Sequence, residues 1–283
     1  MATTESAPRP ALGILAGGGV LPAQLAEAAD AAGRKLFIIG LDGFVDARSI
    51  AQWPHEILRL GAAGRMLALL RAHHCGDIVM AGTVRRPSFF DLRPDIEGAR
   101  ILGKLGRAAF AGDDGLLAAL VRVLGEEGFR VIGVQDVLSE ALAPTGLLGR
   151  IGADAQAMSD ITRGIAVARA LGTADVGQGC VIQQGLVLAV EAIEGTDAMI
   201  ARASKLRRDG PGGVLVKLVK PGQDRRADLP TIGARTVHEA AAAGLRGIAF
   251  EAGGALIVDR AACIAAADEA GLFLLGVDPT QFS

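Results

Sequence analysis

Short apolar runs alternate along the chain with longer stretches in which Leu, Ala and Val recur every third or fourth residue. In the first half the runs at 12–16, 35–41, 56–60, 77–81 and 130–134 predict strands. Helical spacing predicts helices from the turn at Pro22 to Gly33, over 64–73 and over 114–127. Pro22 suits a first helical turn, where a missing N–H costs nothing. Strands alternating with helices mean a parallel sheet covered on both faces, so this half is expected to be Rossmann-like α/β. The second half is less regular. It predicts a helix over 153–171, a hairpin of 180–184 with 186–192 around Gly185 and a helix over 196–207. A strand over 214–219, a helix over 236–243, strands at 247–251 and 255–258, a helix over 260–270 and a last strand at 272–275 follow. The expected division is a Rossmann-like nucleotide-side domain at 1–140, a linker at 141–152, rich in Gly with Pro144, and a mixed α/β catalytic domain at 153–283.

Composition narrows the class. The chain has 283 residues, 51% of them apolar, enough for two cores. Its net charge of −2, the lack of Tyr and the single Trp53 argue against a nucleic-acid surface built on cations and stacking rings. Cys75, Cys180 and Cys263 lie far apart with no Cys/His spacing, so they read as buried reduced thiols rather than zinc ligands. Residues 1–10 are polar and lack a signal-peptide core. No apolar run reaches the roughly 18 residues that span a bilayer. A cytoplasmic location is expected, with peripheral contact with a membrane left open.

Candidate chemistry concentrates in one stretch. An apolar run ends in Lys217 and leads into the Gly/Pro-punctuated loop Lys220-Pro221-Gly222-Gln223-Asp224-Arg225-Arg226-Ala227-Asp228-Leu229-Pro230-Thr231-Ile232-Gly233. A strand ending in a rigid polar loop is where α/β proteins place chemistry. Cations there hold phosphate oxygens, and carboxylates hold a divalent metal or orient water. Gly17-Gly18-Gly19, between a strand and a helix, is either a phosphate cradle or a tight turn without a ligand. As a dinucleotide fingerprint it is imperfect, because Pro22 stands where the last glycine belongs, although Asp42 fits the ribose-binding acid. Gly112-Asp113-Asp114-Gly115 offers either an N-cap or a metal or ribose contact. Arg85 and Arg86 end a strand on the side where such sheets bind ligands, or form exposed salt bridges. Glu191, Glu194 and Asp197 fall within one strand-end segment, suited either to capping and solvation or to an oxygen-rich Mg²⁺ site; Thr196 beside them suits an N-cap. His55, His73, His74 and His238 form no pattern with a nucleophile, and no G-x-S-x-G, H-E-x-x-H or Walker A motif occurs.

Taken together, Leu15 to Pro22, Ala81 to Pro87, Gly112-Asp113-Asp114, Ala189 to Asp197 and Lys220 to Gly233 resemble the LpxI-type UDP-2,3-diacylglucosamine pyrophosphatases. The motifs follow the family's order and span nearly the whole chain; the last two are the specific ones. Only the ten-residue polar N-terminal extension has no counterpart. The resemblance implies a hydrolase of lipid A biosynthesis. Such an enzyme cleaves UDP-2,3-diacylglucosamine to UMP and 2,3-diacylglucosamine 1-phosphate (lipid X), with water directed at the β-phosphorus and Mg²⁺ or Mn²⁺ as cofactor. It also implies two domains with substrate between them, a homodimer, and transient contact with the inner membrane from its cytoplasmic face.

Pyrophosphate hydrolysis needs the phosphoryl charge neutralised and water placed in line. On that reading Asp228 and Asp224 hold metal or orient water, Lys217 and Lys220 neutralise phosphate oxygens, and Gln223 is a neutral donor. Glu191, Glu194 and Asp197 are further candidate metal ligands. Gly18, Gly19 and Leu21 meet the nucleotide, with Arg85, Asp113 and Thr196 as additional substrate contacts. Two rival readings are a nucleotide-dependent oxidoreductase, which leaves the 220–233 loop without a role, and a non-catalytic sugar-nucleotide-binding protein.

Overall fold

The computed structural model describes residues 9–85, 93–106 and 113–282, without the side chains at 113 and 114. The chain divides into two compact units. One holds the described residues up to Leu138 together with Arg226–Asp228, the other Ser139–Arg225 with the residues from Leu229 on. The first boundary therefore falls at Leu138, and the segment 141–152, expected as a linker, lies inside the second unit.

The first unit runs β1 (Ala11–Ala16), α1 (Leu21–Ala31), β2 (Leu36–Leu41), α2 (Ala47–Ile50), β3 (His55–Leu58), α3 (Ala63–Ala72), β4 (Cys75–Ala81), α4 (Ile96–Leu105), α5 (Asp113–Glu126) and β5 (Arg130–Val131). Its five strands form one parallel sheet in the order β3-β2-β1-β4-β5, the expected Rossmann-like arrangement. The central strands β1, β2 and β4 are mostly apolar because helices cover both faces; Leu12, Ile14, Ile38, Ile39, Ile78 and Val79 are fully buried. Asp95 serves two helices. Its carboxylate accepts from Gly98 N–H at 2.6 Å in the first turn of α4 and from Gly64 N–H at 3.0 Å in the first turn of α3. Ala227 packs against this unit's core.

The second unit runs β6 (Gly146–Leu148), α6 (Ala155–Thr173), β7 (Gly179–Gln183), β8 (Leu186–Val190), α7 (Gly195–Ser204), β9 (Val214–Lys217), β10 (Thr231–Ile232), α8 (Ala234–Ala242), β11 (Gly247–Glu251), β12 (Leu256–Ile257), α9 (Arg260–Ala270) and β13 (Phe273–Val277). A six-stranded sheet has the order β6-β13-β11-β9-β7-β8, and β10 pairs with β12 apart from it. β9, β11 and β13 are parallel, while β6 and β7 run antiparallel to their neighbours and β8 to β7. The sheet is thus mixed, as expected for this half. The hairpin turn sits at Gln184 and Gly185, both at positive φ (54° and 77°), the backbone of a two-residue turn that follows strand twist.

Successive side chains on a strand face opposite ways. Val214 and Val216 of β9 therefore pack with Ile161 and Ile165 of α6, whereas Leu215 packs with Met199 of α7, Val237 of α8 and Cys263 of α9. Lys217, two residues after Leu215, faces the α7 side. The same alternation on β7 and β8 turns Gly179 and Glu191 to that side, two residues from Val181 and Ala189 of the α7-facing core. Antiparallel register sets Gly179 opposite Lys217, and Cys180 opposite Val190.

Candidate active site

Three neighbouring strand ends and the start of α7 place a buried polar chain in the second unit. Lys217 Nζ donates to Thr196 Oγ1 at 2.7 Å, and the Thr196 hydroxyl donates to Glu191 Oε1 at 2.5 Å. Lys217 and Glu191 are 5% and 6% exposed. Gly179 lies between their strands, and a Cβ there would stand 2.9 Å from Glu191 Oε2. The absent side chain is what leaves room for the carboxylate. Glu191 N–H donates to Gly179 O at 2.8 Å and fixes the strand end. Thr196 lies inside the first turn of α7, whose N-cap position is Glu194 with no side-chain cap bond. The threonine hydroxyl thus serves the polar chain rather than capping the helix.

The other carboxylates of that segment go elsewhere. Glu194 pairs with Arg202 at 2.5 Å, and its own backbone N–H together with Arg202 holds its carboxyl below the usual range. Asp197 pairs with Arg235 at 2.6 Å, and burial first, then the neighbouring Asp197, push the Glu239 carboxyl up. Among the described residues no group of three His, Cys, Asp or Glu side chains gathers as a metal cage.

The loop after β9 is tied down within the same unit. Lys220 N–H donates to Gln223 Oε1 at 3.1 Å and Gln223 N–H to Lys220 O at 3.1 Å, so the 8%-exposed glutamine locks its own turn. Lys220 Nζ pairs with Asp175 at 2.8 Å. Glu251, at the end of β11, accepts from Val219 N–H at 3.1 Å and pairs with Arg225 at 3.0 Å; Arg225 also donates to Gly253 O at 3.0 Å. Glu251 escaped the sequence reading, although an acid closing an apolar strand is the signal that could have marked it. Asp224 belongs to this unit and Asp228 to the first. Both sit in polar interactions.

In the first unit the turns after β1 and β4 meet where the strand order reverses, the place where such sheets bind ligands. Gly18 N–H donates to Thr83 O and Thr83 N–H to Gly18 O, both at 2.9 Å, and Gly17 N–H donates to Ala81 O at 2.8 Å. Two of the three glycine N–H groups expected to cradle an anion are therefore engaged with the neighbouring turn. What Gly18 offers is close approach, since a Cβ on it would come within 3.0 Å of Phe44 O. Gly19 takes φ +91°, open to glycine at little cost. Leu21 is buried at the start of α1, whose first-turn N–H groups lack intrahelical acceptors. Asp42 is exposed just past β2, and Arg85 is exposed after β4. Arg86, Gly112 and the side chains of Asp113 and Asp114 lie outside the described residues.

The comparisons with known proteins cover both units. Residues 11–141 match the family model of the LpxI N-terminal domain and residues 144–275 that of the LpxI C-terminal domain. The chain is also similar to the UDP-2,3-diacylglucosamine pyrophosphatase LpxI of Caulobacter vibrioides, 46% identical over 276 residues, which covers 95% of this chain and 98% of that protein.

Proposed function

The chain belongs to the LpxI family, and from that premise we propose that it hydrolyses the pyrophosphate of UDP-2,3-diacylglucosamine to UMP and 2,3-diacylglucosamine 1-phosphate in lipid A biosynthesis. It is a hydrolase of a pyrophosphate bond. The observation that carries this reading is near-full-length similarity to a pyrophosphatase of that substrate. The buried lysine at the end of β9 supports it, because transfer of a phosphoryl group to water is governed by positioning and charge neutralisation.

In this reading Lys217 offers its ammonium to a non-bridging oxygen of the pyrophosphate, where a preorganised cation in a water-poor site stabilises developing charge. Gln223 holds the following turn in shape. Lys220 reaches a phosphate oxygen only by sharing or leaving Asp175. The water oxygen bonds to the β-phosphorus, the bond from that phosphorus to the bridging oxygen breaks, and UMP leaves with the electron pair. Asp224 and Asp228 are the carboxylates assigned to orient water and hold Mg²⁺. Glu191, Glu194 and Asp197 are engaged with Thr196, Arg202 and Arg235, so the cation would fall to Asp224 and Asp228 with waters and substrate oxygens, the small number of carboxylates that Mg²⁺ commonly takes. When bound, Mg²⁺ supplies charge neutralisation at the phosphoryl oxygens. Gly18, Gly19 and Leu21 are assigned to the nucleotide, with Arg85 and Asp113 as further contacts.

UMP release from UDP-2,3-diacylglucosamine by the purified protein, with Mg²⁺ and then with chelator, tests the reading. Metal-dependent release supports it. Tight substrate binding without release would replace it with a sugar-nucleotide-binding role. In ¹⁸O-water the label is expected in the sugar 1-phosphate; label in UMP would overturn attack at the β-phosphorus. Replacing Asp228 with Ala should lower kcat at least about 100-fold, and full turnover in that variant would remove Asp228 from the site. The same reading carries a homodimer and transient contact with the inner membrane, tested by sedimentation equilibrium and by flotation with vesicles containing the diacyl substrate.

A further inference from the structure

A buried ammonium needs a counter-charge and hydrogen-bond acceptors. For Lys217 the nearest acceptor along the chain of bonds is the Thr196 hydroxyl, with the Glu191 carboxylate one bond beyond. Glu191 Oε2 is buried and has no hydrogen-bond partner among the described residues. It lies over Gly179, in the space a side chain there would fill. The charge of Glu191 is felt locally: burial first and that charge second push the Cys180 thiol up to about 12. A buried polar chain with an oxygen left over is costly and persists where it serves a site. Glu194 and Asp197 do not join Glu191, being turned to Arg202 and Arg235.

We propose that Glu191 and Thr196 are positioning residues that hold the Lys217 ammonium at the end of β9 for an oxygen of a pyrophosphate diester, and that Glu191 is not a metal ligand. The proposal rests on the pyrophosphatase reading. Thr196 has the geometry for the task. Its hydroxyl gives its one proton to the carboxylate and so turns a lone pair to the ammonium. That leaves Lys217 other N–H groups for the substrate. Glu191 sets the orientation of the hydroxyl and compensates the buried charge. Because α7 carries Thr196, β9 carries Lys217 and Glu191 directly follows β8, the position of the ammonium depends on three elements packed together.

The test compares Thr196→Val, Thr196→Ser, Glu191→Gln and the Thr196→Val/Glu191→Gln pair with the parent protein, all with thermal midpoints recorded. With UDP-2,3-diacylglucosamine, Thr196→Val and Glu191→Gln are expected to lose about 100-fold in kcat, the scale of a misplaced catalytic group. KM should change less than kcat. Thr196→Ser should recover to within about threefold of the parent, and the pair should be no worse than the weaker single variant, since both break one chain. The Mg²⁺ concentration giving half-maximal rate should not change in Glu191→Gln. Retained kcat in Thr196→Val or Glu191→Gln, additive losses, or a raised Mg²⁺ requirement in Glu191→Gln would overturn the proposal while the hydrolase reading stood. If the parent itself releases no UMP, that reading fails instead. Calorimetric binding of inorganic pyrophosphate then decides: weaker binding by both Thr196→Val and Lys217→Met supports the positioning role, and unchanged binding by Thr196→Val overturns it.

Discussion

Lys217 shows how little a residue's identity says without its neighbours. In the sequence it is one of two lysines around a strand end. In the fold it is the buried one, while Lys220 arrives already paired with Asp175. Lys217→Met should therefore cost about 10²- to 10³-fold in kcat, as loss of one preorganised donor does; Lys220→Met should cost less, because an ion pair with Asp175 already shares its charge. Steady-state UMP release on both variants checks the order. The cysteines make a second prediction. Burial raises Cys75 and Cys263 to about 11 and, with Glu191, Cys180 to about 12. Reaction needs the thiolate, so a thiol reagent at pH 8 should label none of the three in the native protein and all three after denaturation. Labelling of native Cys180 would show that α6 parts from the second sheet.

At the scale of elements, apolar periodicity located most strands and most helices to within a few residues, though not the short β6 and β10, and the hairpin around Gly185 was legible from its turn chemistry. The acid that steadies that turn was not. Asp160, 1% exposed on α6, accepts from Gln184 N–H at 3.1 Å and Gly185 N–H at 2.7 Å. No local rule links positions so far apart. Asp160→Ala should destabilise the protein by roughly 3 kcal/mol, the scale of hydrogen bonds to a buried charged acceptor, read as a lower urea midpoint at unchanged m-value. The helix α4 was missed because Gly98 and Gly103 weaken its propensity, and Asp95 with the contacts of α3 and α5 makes good the loss. The strand β6 lay hidden in the expected linker because three residues show no period, and only its pairing with β13 makes them a strand. The turn that directly follows β4 supplies a test of close approach. Gly82 takes φ +91°, and a Cβ there would come within 2.5 Å of Gly18 O. Gly82→Ala should part the two turns and lower the thermal midpoint by several degrees, the consequence of about 1–2 kcal/mol of left-handed strain plus the clash.

Over the whole molecule, each unit has its own core and its own buried charges. In the first, Glu127 meets Arg71, Arg100 and Lys104, and these cations, Arg100 foremost, hold its carboxyl down at about 2. At Asp77 burial acts upward, but hydrogen bonds from Arg130 and Arg34 outweigh it and lower the carboxyl. Carboxylates with depressed folded values stabilise above their unfolded range and lose that contribution as pH falls through the folded one. Stability should therefore decline from about pH 4.5 towards pH 2. Glu127→Gln should flatten that slope, and urea midpoints across the window would show an unchanged slope if the cluster contributes nothing. Among the described residues no helix is long and apolar enough to cross a membrane, so contact with a two-chain lipid rests on the flotation test.

By itself the sequence determined the α/β class, the parallel first sheet, the mixed second half and the loop rich in lysine, arginine and aspartate, because periodicity, turn residues and motif order are local and survive being read in a line. It also carried the family, through motifs spread over the chain. What only the tertiary structure decided is which of those groups meet. Strand pairing and period-two alternation put Lys217, Gly179 and Glu191 on one face with Thr196 above them, and sent Glu194 and Asp197 to separate arginines. Packing likewise divided the loop, leaving Asp224 with the second unit and grouping Asp228 with the first. Such choices depend on register between distant strands, and a one-residue shift in register would turn every side chain of a strand to its other face.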